Sequence, residues 1–408
     1  MLVAVVMLFV VGAMAALSID VVTIYTARSE AQLAADGAAL AGARLLANSG
    51  MTSDPTGALT ASAEALASTV ANQVAQHNPV GGRNLKAAEV VVSFAGTTTN
   101  PLVTVRVQRT DLPTFFARIW GSKQITVGAS ASAEAYNPSG ASASPVAPTC
   151  VKPWLLPNMD PSNGSKQIFD PVSGAINPGS NLLNGPEATR LRTDCTNCSA
   201  PAPAPTVWRY YPGDPYSSFP PPSPSSVACP GCAGFTNPNY QLSIAGCIQT
   251  PISCNSKVNV DVTDVDPTRD TETGTAVNGL THSTGTGGDS VDSAAVPSPP
   301  FQFLAGTENP IVLSGAMAAG TDVMVSDSLV IVPVIDTSPP PNFAANYPTV
   351  QIIGFLQLFL NPTGAAAPFS GHIHTQVINL VGCGTGASGQ AILGNGASPV
   401  AVRLISPP

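Results

Sequence analysis

The first nineteen residues, MLVAVVMLFVVGAMAALSI, carry no charge and one polar side chain, Ser18. Asp20 is the first charged residue and Arg28 the first basic one. A helix of that length spans about 28 Å, close to the hydrocarbon thickness of a bilayer. A cleaved secretory signal opens on a basic n-region; here there is none, and the run leads straight into helix-favouring sequence. The feature therefore predicts a membrane anchor or pilin-type helix, with a cleaved signal and a buried soluble helix as the alternatives. Orientation normally rests on cytoplasmic Lys and Arg. The missing flank points to a start further upstream or to a chain that begins after processing.

Helical character continues past the span. Ile24, Arg28, Ala31, Ala35, Ala38 and Gly42 recur at spacings of three and four, and no proline precedes Pro55. A helix over 2–47 would be about 69 Å long. Its second half is dominated by Ala and Gly, which lets another helix approach closely. Gly12/Ala16 and Ala38/Gly42 are small-xxx-small pairs of the kind that pack in membranes; plain alanine propensity is the simpler reading. Asp20 marks the outer edge of the span, and a buried partner for it is the less expected role.

Composition limits the rest. Only 10% of the 408 residues are charged, acidic groups outnumber basic ones 24 to 16, and the net charge is -8. No Lys/Arg cluster is present to meet phosphates, which excludes a nucleic-acid binder. An apolar share of 44% is too high for a disordered chain. Gly (36) and Pro (40) punctuate the backbone, mainly after the first module, as in an exported, loop-rich protein.

The segment ALSIDVVTIYTARSEAQLAADGAALAGARLL resembles the N-terminal signature of the TadG-like (TadE/TadG-like) family of Flp-pilus-associated proteins. The matches fall on Asp20, Val21, Tyr25, Arg28, Leu33, Ala35, Asp36, Ala39, Leu40, Ala41, Gly42 and Ala43. Val22 stands where the family has Gly, and Gly37 where Ala is usual. TFFARIWGSKQITVGASASAEA is similar to the end of that family's first extracellular module, and LVIVPVID and VAVRLI to its closing strands. The resemblance implies a membrane-anchored protein of pilus assembly, secretion or attachment, and brings no catalytic residues. Val5 replaces the Glu of a typical pilin, which speaks against a major pilin subunit.

Further along, 57–76 places Leu59, Ala63, Leu66, Val70 and Val74 on one helical stripe. Strands are expected at 87–94, 102–110 and 123–135, with Val103, Val105 and Gln108 punctuating the second. A brief helix at 111–120 carries Phe115, Phe116 and Trp120. The fold class expected is α+β: a long helix (1–47), a small α+β module on an antiparallel sheet (48–136), a linker (137–150), and a β-rich, disulfide-braced domain (151–408). Within the last, WLLPNMD restarts ordered structure, and the proline-dense 199–226 favours extended structure with a lid or docking loop bearing Trp208, Tyr210, Tyr211, Tyr216 and Phe219. Residues 255–300 read as surface loops, and β-branched runs from 323 onward as central strands of a closing sheet.

Eight cysteines follow the span: Cys150, Cys195, Cys198, Cys229, Cys232, Cys247, Cys254 and Cys383. They permit up to four disulfides in an oxidising compartment. CTNC and CPGC also have the spacing of a four-thiolate zinc site, and CPGC that of a dithiol redox centre. His372 and His374 share one strand face, without a third ligand of matching spacing. Asp261, Asp264, Asp266 and Asp270 could hold calcium only irregularly, since the EF-hand glycine is missing. The expectation is that no residue is catalytic and no cofactor is bound, with structural Ca or Zn as the exception.

Together these readings predict a non-enzymatic, membrane-anchored surface protein of pilus or secretion-system assembly or attachment. Its partners would be like helices of the same or related pilus proteins, an inner membrane or filament core, and a cell-envelope surface, with no nucleic acid. Its place would be the bacterial cell envelope, with residues after about 20 extracytoplasmic. The alternatives are a self-polymerising pilin-like subunit and an exported hydrolase or dithiol redox enzyme.

Overall fold

The computed structural model describes residues 2–140, 144–160, 166–179, 182–183, 189–192, 207–209, 211–212, 219–223, 235–236, 238–260, 268–282, 287–292, 297–337, 349–364, 372–386, 390–393 and 398–405. Helices α1 (Leu2–Asn48), α2 (Thr60–His77), α3 (Pro238–Ala245) and α4 (Thr268–Thr281) join strands of two principal sheets. In chain order the strands are β1 (Val90–Gly96), β2 (Pro101–Pro113), β3 (Gln124–Tyr136), β4 (Trp154–Pro157), β5 (Thr189–Arg192) and β6 (Val207–Arg209). Then come β7 (Tyr211–Pro212), β8 (Lys257–Asn259), β9 (Leu329–Ile335), β10 (Thr349–Leu360), β11 (His372–Gly382) and β12 (Ala401–Ile405). The class is α+β, as expected, and the long helix ends one residue beyond the expected 47. Ser49 and Gly50 stop it, the glycine taking a left-handed φ of 85°.

The chain forms two compact units. The first comprises Met1–Leu46, Ala61–Ala135 and Val402–Pro408; the second comprises Ala47–Thr60 and Tyr136–Ala401. Two of these divisions, 46/47 and 135/136, lie one residue from the expected 47/48 and 136/137 boundaries, while those at 60/61 and 401/402 were not expected and none falls at 150/151.

In the first unit, a four-stranded sheet runs in the order β12-β3-β2-β1. β2 buries Val103, Val105 and Val107 on one face, and Arg109 follows them. Gln108 is exposed on the other face, so it does not continue the apolar alternation expected of it. The helix expected over 111–120 is shorter: β2 runs on to Pro113, and only Ala117–Trp120 forms a 3-10 turn. α2 spans most of the expected 57–76, but its buried stripe is Ala63, Ala67, Ala71 and Ala75. The larger Leu66, Val70 and Val74 flank that stripe, half-buried. Methyl groups let α2 come close to α1: a Cβ added at Gly42 would lie 3.4 Å from Ala71 Cβ and 3.0 Å from Val103 Cγ1.

In the second unit the main sheet follows the path β7-β4-β9-β10-β11-β5-β6, with β8 also paired to β10. β9 and nearly all of β10 are buried at every position, as expected for continuous apolar runs covered on both faces. The path begins at Tyr211–Pro212 and ends at Val207–Arg209, segments separated by one residue in the chain. That spacing holds Arg209 and Tyr211 within about 7 Å, so the sheet curls until its two ends are neighbours.

The proline-rich stretch supplies β6 and β7, extended as expected, at the ends of the sheet path where proline is tolerated. Three expectations change here. Residues 255–300, read as loops, contain α4, whose Ala276, Val277 and Leu280 are buried; packing of that stripe outweighs the weak propensity of its Thr, Gly and Asn residues. VAVRLI lies in the first unit's sheet beside β3 instead of closing the second. The expected linker is packed in its described part: buried Asn137 donates to Thr52 O at 3.0 Å and Leu380 O at 2.8 Å.

Candidate functional site

Along α1 the environment changes between Asp20 and Ala27, and an outer face stays open through and beyond that stretch, with Val22 63%, Tyr25 71% and Leu33 69% exposed. Before it, the apolar side chains stand bare: Val3 and Phe9 are each 73% exposed, Met14 70% and Ile19 50%. From its end onward, Ala27, Ala31, Ala34, Ala35, Ala38 and Ala39 are fully buried against the first unit. The first half is apolar and long enough to cross a membrane. Its polar side chains are satisfied within the helix, since Ser18 Oγ donates to Ala15 O at 2.6 Å and Thr23 Oγ1 to Ile19 O at 2.9 Å. Such back-bonding removes the need for water at the end of the span.

The change begins at Asp20, which is buried. Its carboxylate accepts three backbone N–H groups, from Phe115 at 2.8 Å, Phe116 at 3.0 Å and Ala117 at 2.6 Å. These amides open the 3-10 turn Ala117–Trp120, whose first N–H groups have no partner inside the turn. Burial by itself raises the Asp20 pKa, but the three donors outweigh it and hold the carboxyl below its ordinary value. Asp20 therefore does more than mark an edge. It clasps the β2–β3 hairpin tip to the helix, and nothing local in the sequence points to a partner 95 residues away.

Two further hydrogen bonds tie α1 to the rest of its unit, and an ion-pair network braces the unit beside it. Glu30 Oε2 accepts from Gly81 N at 2.6 Å, and Gln32 Nε2 donates to Ser130 O at 3.3 Å. Arg83 pairs with Glu89 at 2.6 Å and also with Asp111, to which Arg109 adds a bond at 3.1 Å. The Arg83 hydrogen bond holds Glu89 down to about 2 against the opposing effect of burial. Of the two small-residue pairs, Ala38/Gly42 packs within the chain, while a Cβ at Gly12 would meet nothing within 4 Å.

Within the second unit, to which Ala47 belongs, the polar contacts are made by amides and hydroxyls. Asn379 Nδ2 donates to Ala47 O and to Gln357 Oε1, and its Oδ1 accepts from Ser53 Oγ at 3.1 Å. Phe301 N donates to Ser49 O at 3.1 Å. Two disulfides, Cys150–Cys247 and Cys254–Cys383, brace this unit, as expected for an exported chain. Lys152, which sequence reasoning passed over, is buried and donates to Ile244 O at 2.5 Å and Gly246 O at 2.6 Å. Burial pulls its ammonium down to about 7. The two carbonyls it holds lie at the C-terminal end of α3, where a lysine side chain satisfies carbonyls that have no partner within the helix.

The other sequence candidates fare as follows. Cys195, Cys198, Cys229 and Cys232 lie outside the described residues, as do Asp261, Asp264 and Asp266; Asp270 falls on α4. His372 and His374 occupy β11 in register with Arg192 and Arg190 of β5. Among the described residues no group of three His, Cys, Asp or Glu side chains could hold a metal ion. Of the aromatic-proline stretch, Phe219 is fully buried in its own unit and accepts from Ser243 Oγ at 3.5 Å. Tyr210 and Tyr216 are outside the described residues.

Residues 1–45 match the family model described as putative Flp pilus-assembly TadE/G-like, the segment that carries the resemblance. No curated protein and no solved structure matches the chain.

Proposed function

We propose that this is a non-enzymatic protein of Flp-type pilus assembly or attachment, anchored in a cell-envelope membrane by the first half of α1. Residues after about 20 stand on the extracytoplasmic side, where disulfides form. The observation that carries the reading is the coincidence, inside the matched segment, of a bare, charge-free apolar helix with its first charged residue, buried Asp20. The reading assigns no catalytic residue and no cofactor. Its partners are other pilus components and the membrane itself.

The self-polymerising alternative draws on the open Gly12/Ala16 pair, which a second helix could use. Against it, one face of α1 from Ala27 onward is already packed within its own unit.

Alkaline carbonate extraction of membranes from cells expressing the full chain tests the anchor. The chain is expected in the membrane pellet. Val11→Arg, which puts a charge in mid-span at a cost of about 2.5–3.5 kcal/mol, moves it toward the soluble fraction. Recovery of intact wild-type chain in the cytosolic soluble fraction overturns the reading, and pelletable filaments of this chain alone favour the alternative.

A further inference from the structure

We propose that the β2–β3 hairpin tip, residues 114–125, is a second membrane contact: it rests in the headgroup layer of the bilayer that holds α1. The inference rests on the anchor reading above and adds a surface to it.

Depth is set by α1. With residues 2–19 in the hydrocarbon, about 27 Å of helix, Asp20 is the first residue at the interface. The tip cannot lie far from that level, because its Phe115, Phe116 and Ala117 amides are bonded to the Asp20 carboxylate at 2.6–3.0 Å. A charge at the hydrocarbon edge is thereby neutralised by fixed donors, and the tip is locked to the helix in the same contact.

The tip's surface has the chemistry of that layer. Phe115 is 58% exposed although its backbone is pinned, and Ile125 is also exposed. Arg118 and Lys123 are exposed beside them, and no carboxylate occurs between Asp111 and Glu134. An aromatic ring with flanking cations, and no acid, suits an anionic headgroup layer with acyl chains just beneath it. On the helix, Leu17 and Val21, which neighbour the clasping Asp20 in sequence, are 49% and 41% exposed. The tip is also preformed: Gly121 N donates to Arg118 O at 3.1 Å and Ser122 N to Ala117 O at 3.2 Å, and Thr114 bonds to Ser122 O. Gly121, at φ 97°, closes the turn where a side chain would strain it.

The test uses the full chain reconstituted into phosphatidylcholine/phosphatidylglycerol vesicles, with and without brominated acyl chains. Phe115→Trp is made in a Trp120→Phe background, and the emission it adds over Trp120→Phe alone is read. That added emission is expected to fall about twofold or more with brominated lipid and to resist aqueous acrylamide. Asp20→Asn, which unclasps the tip, is expected to lose this quenching while the chain still floats with the vesicles. Emission unaffected by bromine overturns the proposal, whether acrylamide reaches residue 115 (the tip is in water) or does not (protein covers it). Failure of the wild-type chain to float with the vesicles overturns the anchor reading instead. Should Asp20→Asn misfold, the Phe115→Trp comparison decides alone, since that exposed site tolerates an aromatic exchange.

Discussion

Where α1 meets α2, the buried side chains are methyl groups and hydrogens: Ala38, Ala39, Gly42 and Ala43 on one helix, Ala67 and Ala71 on the other. Around β9–β11 of the second unit they are Trp154, Phe169, Phe301 and Phe359, with Phe303 stacked on Phe359 at 5.3 Å between centroids. The polar chemistry differs in the same way. The first unit concentrates charge in the Arg83, Glu89, Arg109 and Asp111 network, while the second is stitched by Asn137, Asn379, Gln357 and Ser53. Close helix packing by small residues leaves little apolar area per residue. Such a unit depends on fit. The second unit has area in hand, and two disulfides joining residues 97 and 129 positions apart restrict its unfolded state further. A chain with only 10% charged residues thus reaches stability by two routes, and export matters to only one of them.

The comparison breaks most visibly at the disulfides. Paired replacement Cys254→Ser/Cys383→Ser should cost the second unit about 2–4 kcal/mol. Denaturant unfolding followed by emission from buried Trp154 reads that loss, while the helical circular dichroism contributed by α1 and α2 keeps its own midpoint. Equal shifts in both signals would show that the units unfold as one, and the contrast would lose its meaning. A smaller effect is expected in the other unit. Gly42→Leu forces a side chain into a gap where even a Cβ lies 3.0 Å from Val103, at a cost of about 1–3 kcal/mol. Its helical signal should unfold earlier and Trp154 emission should not. An unchanged helical midpoint would mean that the α1–α2 contact is looser than described.

Much of the first unit was legible because its signals are local. Freedom from charge and proline marked α1, and alternation marked β2 through Val103 and Val105. The methyl stripe of α2 was harder to read: larger Leu66 and Val70 dominate any count of apolar residues, yet alanines lie at the contact since they alone allow a close approach. α4 was missed because three buried residues, Ala276, Val277 and Leu280, outweigh a sequence of poor helix formers. Long-range pairings left no local trace. A β-branched run such as VAVRLI announces a strand but not which sheet takes it, and Asp20 shows a carboxylate but not the hairpin amides it holds.

The central claim joins an anchored first unit to a second unit held in an oxidising compartment. Its most direct test is to alkylate thiols in intact cells, isolate the carbonate-resistant membrane fraction, and map cysteine peptides without reduction. The account predicts that Cys150 is recovered linked to Cys247, and Cys254 to Cys383, from full-length chain in that fraction. Recovery of these four cysteines in alkylated form, or of the linked chain only in the soluble fraction, would contradict it.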